Sequence, residues 1–88
     1  MDQTETLLKF PCEFPIKTMG RCSSCLEVKA LEIVRRHVTD FNTENMRSVA
    51  SRKGNYISIT FTIRATSQEQ LDAIYQDLTA CEESLMAL

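Results

Sequence analysis

Between Tyr56 and Arg64 the chain reads Tyr-Ile-Ser-Ile-Thr-Phe-Thr-Ile-Arg, an unbroken alternation of apolar and polar side chains. In an extended strand successive side chains point to opposite faces. Ile57, Ile59, Phe61 and Ile63 therefore line one face, and Tyr56, Ser58, Thr60, Thr62 and Arg64 the other. A helical period would scatter the same apolar residues around its axis. The segment is thus a strand in a sheet with one apolar and one polar face. Such a sheet needs further strands beside it and an apolar layer over one side.

The remaining segments supply both. Phe14-Pro15-Ile16-Lys17-Thr18-Met19, closed by Gly20, predicts a first strand, with Pro15 near its start or where no ladder bond is needed. Ser24-Cys25-Leu26-Glu27 fits a capping box, in which Ser24 and Glu27 each satisfy an amide at a helix start. Leu26, Ala30, Ile33, Val34 and His37 then recur at helical spacing and predict an amphipathic helix to about Val38. A polar loop around Phe41 follows, and Met46–Ser51 predicts a weaker strand. Arg52-Lys53-Gly54-Asn55 predicts a turn, with Gly54 in the left-handed region. Ser67-Gln68-Glu69-Gln70 is a second capping box, ahead of Leu71, Ile74, Tyr75 and Leu78 on one helical face. Leu85–Leu88 predicts the last strand, and residues 1–13 a partly ordered lead-in.

Strand, helix, hairpin, helix, strand in 88 residues predicts a single α+β domain of ferredoxin-like βαββαβ topology. Two right-handed crossovers give a four-stranded antiparallel sheet in the order fourth, first, third, second, with both helices on one face. One end collects the 20–25 loop, the 52–55 turn and the 79–83 connection. The other collects Cys12, the His37–Thr43 loop and Thr66–Ser67. A domain of this length buries only about 60–65% of the surface its unfolded chain exposes, which makes a homodimer a natural supplement.

Ten Lys and Arg against twelve Asp and Glu leave a formal charge of −2, without the basic excess that a nucleic-acid backbone requires. The apolar runs are interrupted at alternate positions and cannot span a membrane. The start, Met1-Asp2-Gln3-Thr4-Glu5-Thr6, carries neither a basic nor an apolar signal, so the expected location is the cytoplasm, with Cys12, Cys22, Cys25 and Cys81 reduced.

Several local patterns together resemble a known family. They are Phe10-Pro11, Phe14-Pro15, Lys17-x-Met19-Gly20, Arg36-His37, Ser51-x-Lys53-Gly54-Asn55-Tyr56 and Gln70-Leu71-x-x-Ile74-Tyr75-x-x-Leu78. From about Leu7 to Leu88 the chain is similar to the YbeD-like family of small bacterial proteins, sometimes labelled lipoate-regulatory. The resemblance implies a ferredoxin-like fold similar to the amino-acid-binding regulatory (ACT) domains, and hence a regulatory or ligand-binding module. It carries no catalytic residues, and Cys22 and Cys25 depart from the family pattern.

Three groups of residues are candidate sites. Cys22-Ser23-Ser24-Cys25 lies between a strand and a helix start, where backbone amides favour a thiolate. Heavy-metal-associated domains carry a Cys-x-x-Cys at this connection. The topology brings Cys81 to the same end, so Cu(I) binding or thiol redox chemistry is an alternative to incidental small residues. Lys53, Asn55 and Tyr56 could offer an anion contact or simply a solvated turn. The polar sheet face carries Lys17, Met19, Tyr56, Thr60 and Arg64 and suits a protein partner, a small-molecule ligand or a second copy. An RNA-recognition face would place aromatics where Thr60 and Thr62 stand. His37 is expected to cap carbonyls or pair with Asp40. No phosphate loop and no nucleophile–base pair is present, so neither catalysis nor a cofactor is expected.

Overall fold

The computed structural model describes residues 9–22 and 25–87. Strand β1 (Cys12–Arg21) leads into helix α1 (Leu26–His37), a single 3₁₀ turn (Thr43–Asn45), β2 (Met46–Ala50), β3 (Tyr56–Ala65), α2 (Gln68–Ala80) and β4 (Met86–Ala87). The sheet order is β2-β3-β1-β4 with every neighbouring pair antiparallel, the predicted order read from its other edge. Among the described residues no helix is long and apolar enough to cross a membrane.

The alternating segment sets the frame. All of β3 pairs with β1, from Arg21 opposite Tyr56 to Cys12 opposite Ala65. This long partnership extends β1 beyond the expected Phe14–Met19 at both ends, because each added pair satisfies backbone groups that would otherwise need water. Pro15 lies inside the strand without breaking it. Met19 turns its carbonyl toward the β4 side, where it accepts from the Leu85 amide at 2.7 Å, while the Cys22 amide points to β3 and donates to the Asn55 carbonyl at 3.0 Å. Backbone groups alternate sides along a strand, so Pro15 turns its missing donor to the β4 side. There β4 pairs only with Thr18 and Met19.

The helix ends differ in how they are closed. Ser67 caps α2 as expected, its Oγ accepting from the Gln70 amide at 3.1 Å. The α1 cap position is Cys25, with no side-chain cap bond. The predicted role of Ser24 lies outside the described residues. Glu27, expected in that box, instead accepts from the Ser48 hydroxyl at 2.7 Å, tying α1 to β2. His37 pairs with Asp77 on α2 rather than with Asp40. Its Nε2 lies 2.7 Å from Asp77 Oδ2, and Arg36 flanks the same oxygen at 3.5 Å.

One face of the sheet is sealed. Ile16, Ile59 and Phe61 are fully buried with Leu26, Ala30 and Val34 of α1 and Ile74 and Leu78 of α2. Phe41, expected in a polar loop, is buried too and packs edge-on against Phe61, ring centroids 5.7 Å apart. Thr18 is the buried polar side chain among them. Its hydroxyl lies 2.8 Å from Ser84 Oγ and donates to the Met86 carbonyl at 3.1 Å, which anchors the short β4. Gly54 has φ of 76°, the conformation its turn requires. Gly20 serves packing instead: a Cβ there would meet the Glu83 carbonyl oxygen and, at 2.8 Å, the Leu26 side chain.

Candidate functional site

The uncovered face of the sheet is built by the same alternation that makes the core. Residues opposite one another in register share a face, so strand pairing arranges this surface in rows. Arg21 stands opposite Tyr56 at the end near the 52–55 turn. The next row is Met86, Met19, Ser58 and Val49, and the one after it Lys17, Thr60 and Arg47. Pro15 and Thr62 follow, then Glu13 and Arg64. Four cations and one carboxylate therefore project from a chain of net charge −2. The acidic side chains Glu27, Glu32, Glu69, Asp72 and Asp77 sit on the helices, while Glu44 lines a hollow beside Arg47 with Glu13, Thr60 and Thr62.

Three of these cations are not used up by the fold. None of Lys17, Arg47 and Arg64 forms an ion pair with another described residue. The Arg21 guanidinium lies over the Tyr56 ring, 5.8 Å from its centroid, in cation–π range. Between the charged rows lies an apolar patch. Val49 is 57% exposed and Met86 50%. Ser58, the smallest side chain in its row, leaves a shallow hollow walled by Met19, Val49 and Tyr56, whose lining is almost wholly apolar.

The structure thus brings together Lys17, Met19, Tyr56, Thr60 and Arg64 from the sequence-based candidates. It adds Arg21, Arg47, Val49 and Met86, which sequence reasoning passed over. The signal for Arg47 and Val49 was parity within Met46–Ala50, legible once Met46 is placed opposite Phe61. Arg21 falls in a loop if the strand ends at Gly20, but pairing with Tyr56 carries β1 one residue further.

Lys53 and Asn55 stand apart, in the exposed turn. Three amides in and beside that turn are bonded within it. Ser51 N donates to the Tyr56 carbonyl at 2.8 Å, Gly54 N to the Ser51 carbonyl at 2.9 Å, and Tyr56 N to Ser51 Oγ at 3.1 Å.

Cys22 and Cys25 are exposed at the same end, and half-buried Cys81 donates to Glu83 Oε1 at 3.4 Å. Among the described residues no three of His, Cys, Asp and Glu converge to hold a metal ion. His37 is occupied by Asp77 at the far end of α1 from Cys25. Tyr75, on α2 and away from the uncovered face, has its hydroxyl pKa raised from 10.0 by desolvation.

Comparison with known proteins agrees with this architecture. A family described as a protein of unknown function, DUF493, matches residues 5–88. A UPF0250 protein of Nitrosomonas europaea is 43% identical over 84% of this chain and 85% of its own length. A UPF0250 protein of Neisseria gonorrhoeae is 42% identical over 88% of this chain and 85% of its own. The solution structure of protein HP0495 from H. pylori superposes with a TM-score of 0.75 at 11% identity, covering 92% of this chain and 85% of that one, a likeness of fold alone. By sequence and by its ferredoxin-like α+β fold, the chain belongs to the DUF493 family, the UPF0250 or YbeD-like bacterial proteins that its motifs resemble.

Proposed function

We propose that this protein is a non-catalytic binding module of the bacterial cytoplasm that engages a protein partner through its uncovered sheet face. One observation carries the reading. The face gathers four cations and one carboxylate, with an exposed apolar patch between its first two cationic rows, in a chain whose overall charge is negative. Folding does not require this: polar neutral side chains would solvate an open face equally well, and like charges on one face do not help a small sheet. A charged rim around an apolar centre is the anatomy of a protein interface. The face is also built on the rigid strands β1, β2 and β3, so it can meet a partner with little ordering cost. A regulatory role of the kind suggested by similarity to ACT domains would act through such contacts.

The test is affinity capture from bacterial extract with three forms of the chain. The wild type is compared with K17E/R47E on the face and with K29E/R35E, which makes the same change in net charge on exposed positions of α1. A partner retained by the wild type and the helix variant but lost by the face variant supports the reading. Equal capture by all three removes the face from consideration.

A further inference from the structure

We infer that the occupant of this face is an acidic amphipathic helix of a partner protein. It would lie along β3 with an apolar side chain over Ser58 and a carboxylate between Lys17 and Arg47. The inference rests on reading the uncovered face as the binding surface, and it adds the chemistry and shape of what binds there.

The row pattern carries it. Going down β3, a row with a cation (Arg21 beside Tyr56) is followed by one without charge (Met86, Met19, Ser58, Val49). Then come a second cationic row (Lys17, Thr60, Arg47), a second uncharged one (Pro15, Thr62) and a last one in which Arg64 stands opposite Glu13. Successive rows are two residues apart, or about 6.8 Å at roughly 3.4 Å per residue. In an α-helix, positions i and i+4 lie on one face about 6 Å apart at 1.5 Å per residue. A helix with an apolar residue at one position and Asp or Glu four positions away therefore matches the step from the Ser58 hollow to the Lys17–Arg47 row. The hollow is walled by Met19, Val49 and Tyr56 and takes the apolar anchor, while the cations meet the acid.

Other occupants fit less well. An extended segment laid flat on the face has the same spacing, but its backbone amides and carbonyls would find no partners there, whereas a helix satisfies its own. A second copy docked face to face about a two-fold axis would set four cations and a single carboxylate against the same excess of positive charge. Single-stranded nucleic acid would use the cations but needs stacking rings at the centre of the face. Thr60 and Thr62 stand there, and Tyr56, at the end, is already covered by Arg21. A helix would also complete a layer that the fold lacks, since α1 and α2 already cover the opposite side of this sheet.

The experiment uses the full chain and three labelled synthetic peptides. The first is a helix with Leu and Glu at four-residue spacing on one face and Ala and Gln elsewhere. The second has the same composition in scrambled order, and the third has Lys in place of every Glu. Binding is followed by fluorescence anisotropy and mapped by backbone amide shifts. The patterned acidic helix is expected to bind, with the scrambled peptide weaker by about tenfold or more and the basic one not binding. K17E/R47E should weaken binding by about tenfold or more and flatten its salt dependence, while K29E/R35E changes it less than about twofold. Amide shifts should centre on Lys17, Arg47, Ser58 and Thr60. Equal binding of patterned and scrambled peptides, indifference to K17E/R47E, or shifts confined to α1 and α2 overturns the inference. So does titration of the face by a single-stranded oligonucleotide, by phosphatidylglycerol vesicles or by self-association when the acidic helix fails. If the peptide fails but capture from extract still depends on Lys17 and Arg47, the helical occupant falls and the binding face stands. If capture is indifferent as well, both fall.

Discussion

Ile59 and Thr60 are adjacent in β3, yet Ile59 is fully buried beneath the helices and Thr60 lies half-exposed between Lys17 and Arg47. The same strand thus builds two surfaces under different constraints. On the covered face every side chain must fit its neighbours, because a protein interior is packed as densely as an organic crystal. The uncovered face need only be wettable and keep the strands apart from other sheets. Where constraint is loose, composition reports use rather than stability. The covered face carries the expected Ile and Phe. The uncovered one carries cations, Met and Val that nothing in the fold calls for.

Paired truncations test this contrast most strongly. Phe61→Ala removes a fully buried ring that also packs edge-on with Phe41, and it should cost about 3–5 kcal/mol. Thr62→Ala, next along the strand on the open face, should cost less than about 1 kcal/mol. Urea unfolding of both variants measures the difference, and comparable losses would erase the distinction between the faces.

A second test probes the end of β1, where the covered side depends on a missing side chain. Gly20→Ala drives a Cβ into the Glu83 carbonyl and the Leu26 side chain, and a backbone carbonyl cannot swing aside as a flexible tip can. The expected cost is about 1–3 kcal/mol, with the connection before β4 displaced. Gly54→Ala meets no neighbour and strains only a backbone φ of 76°, so it should cost about 1 kcal/mol. Thermal unfolding of the two variants separates packing from conformation.

Thr18 sets polar anchoring within the covered layer against plain apolar packing. Thr18→Val keeps the shape but loses the hydroxyl's bonds to Ser84 Oγ and the Met86 carbonyl. About 1 kcal/mol should be lost, with faster hydrogen exchange at the Leu85 amide, whose bond to the Met19 carbonyl joins the short β4 to the sheet. Unchanged exchange there would show that β4 is held by packing alone.

Much of this was legible in the residues. The alternation of Tyr56–Arg64 specified both faces of β3, and the Ser67 capping box located the start of α2. Other features were less visible because they are settled by partners distant in sequence. The ten-residue β1 follows from its pairing with β3, which overrides the local stop signal at Gly20 and the local break at Pro15. Phe41 looks like a loop residue until Phe61 is placed beside it. His37 finds Asp77, forty positions away, in preference to the nearby Asp40. The basic face was hidden for a simpler reason. A net charge of −2 averages over the molecule, whereas the sheet sorts Lys17, Arg47 and Arg64 to one side and the helices hold much of the acid. Reading parity in Met46–Ala50 against β3 recovers Arg47 and Val49. The hollow over Ser58 needs three strands in register, and no single stretch of sequence contains it.

The smallest expected effect on stability is also the most pointed. Ser58 is half-buried as the third residue of β3, a strand position where Val is intrinsically favoured and where Met19 and Val49 flank it on either side. Ser58→Val should therefore stabilise the fold by a few tenths of a kcal/mol, read as a small rise in the urea midpoint with an unchanged slope. The same substitution fills the hollow between Met19, Val49 and Tyr56, so affinity for the acidic amphipathic peptide should fall although every cation remains. A variant that gains stability while losing binding would show that Ser58 keeps the hollow open at the fold's expense, as expected where function and stability compete for one position. If Ser58→Val instead binds the peptide as well as the wild type, the cations alone hold the partner and the apolar row is ordinary strand composition.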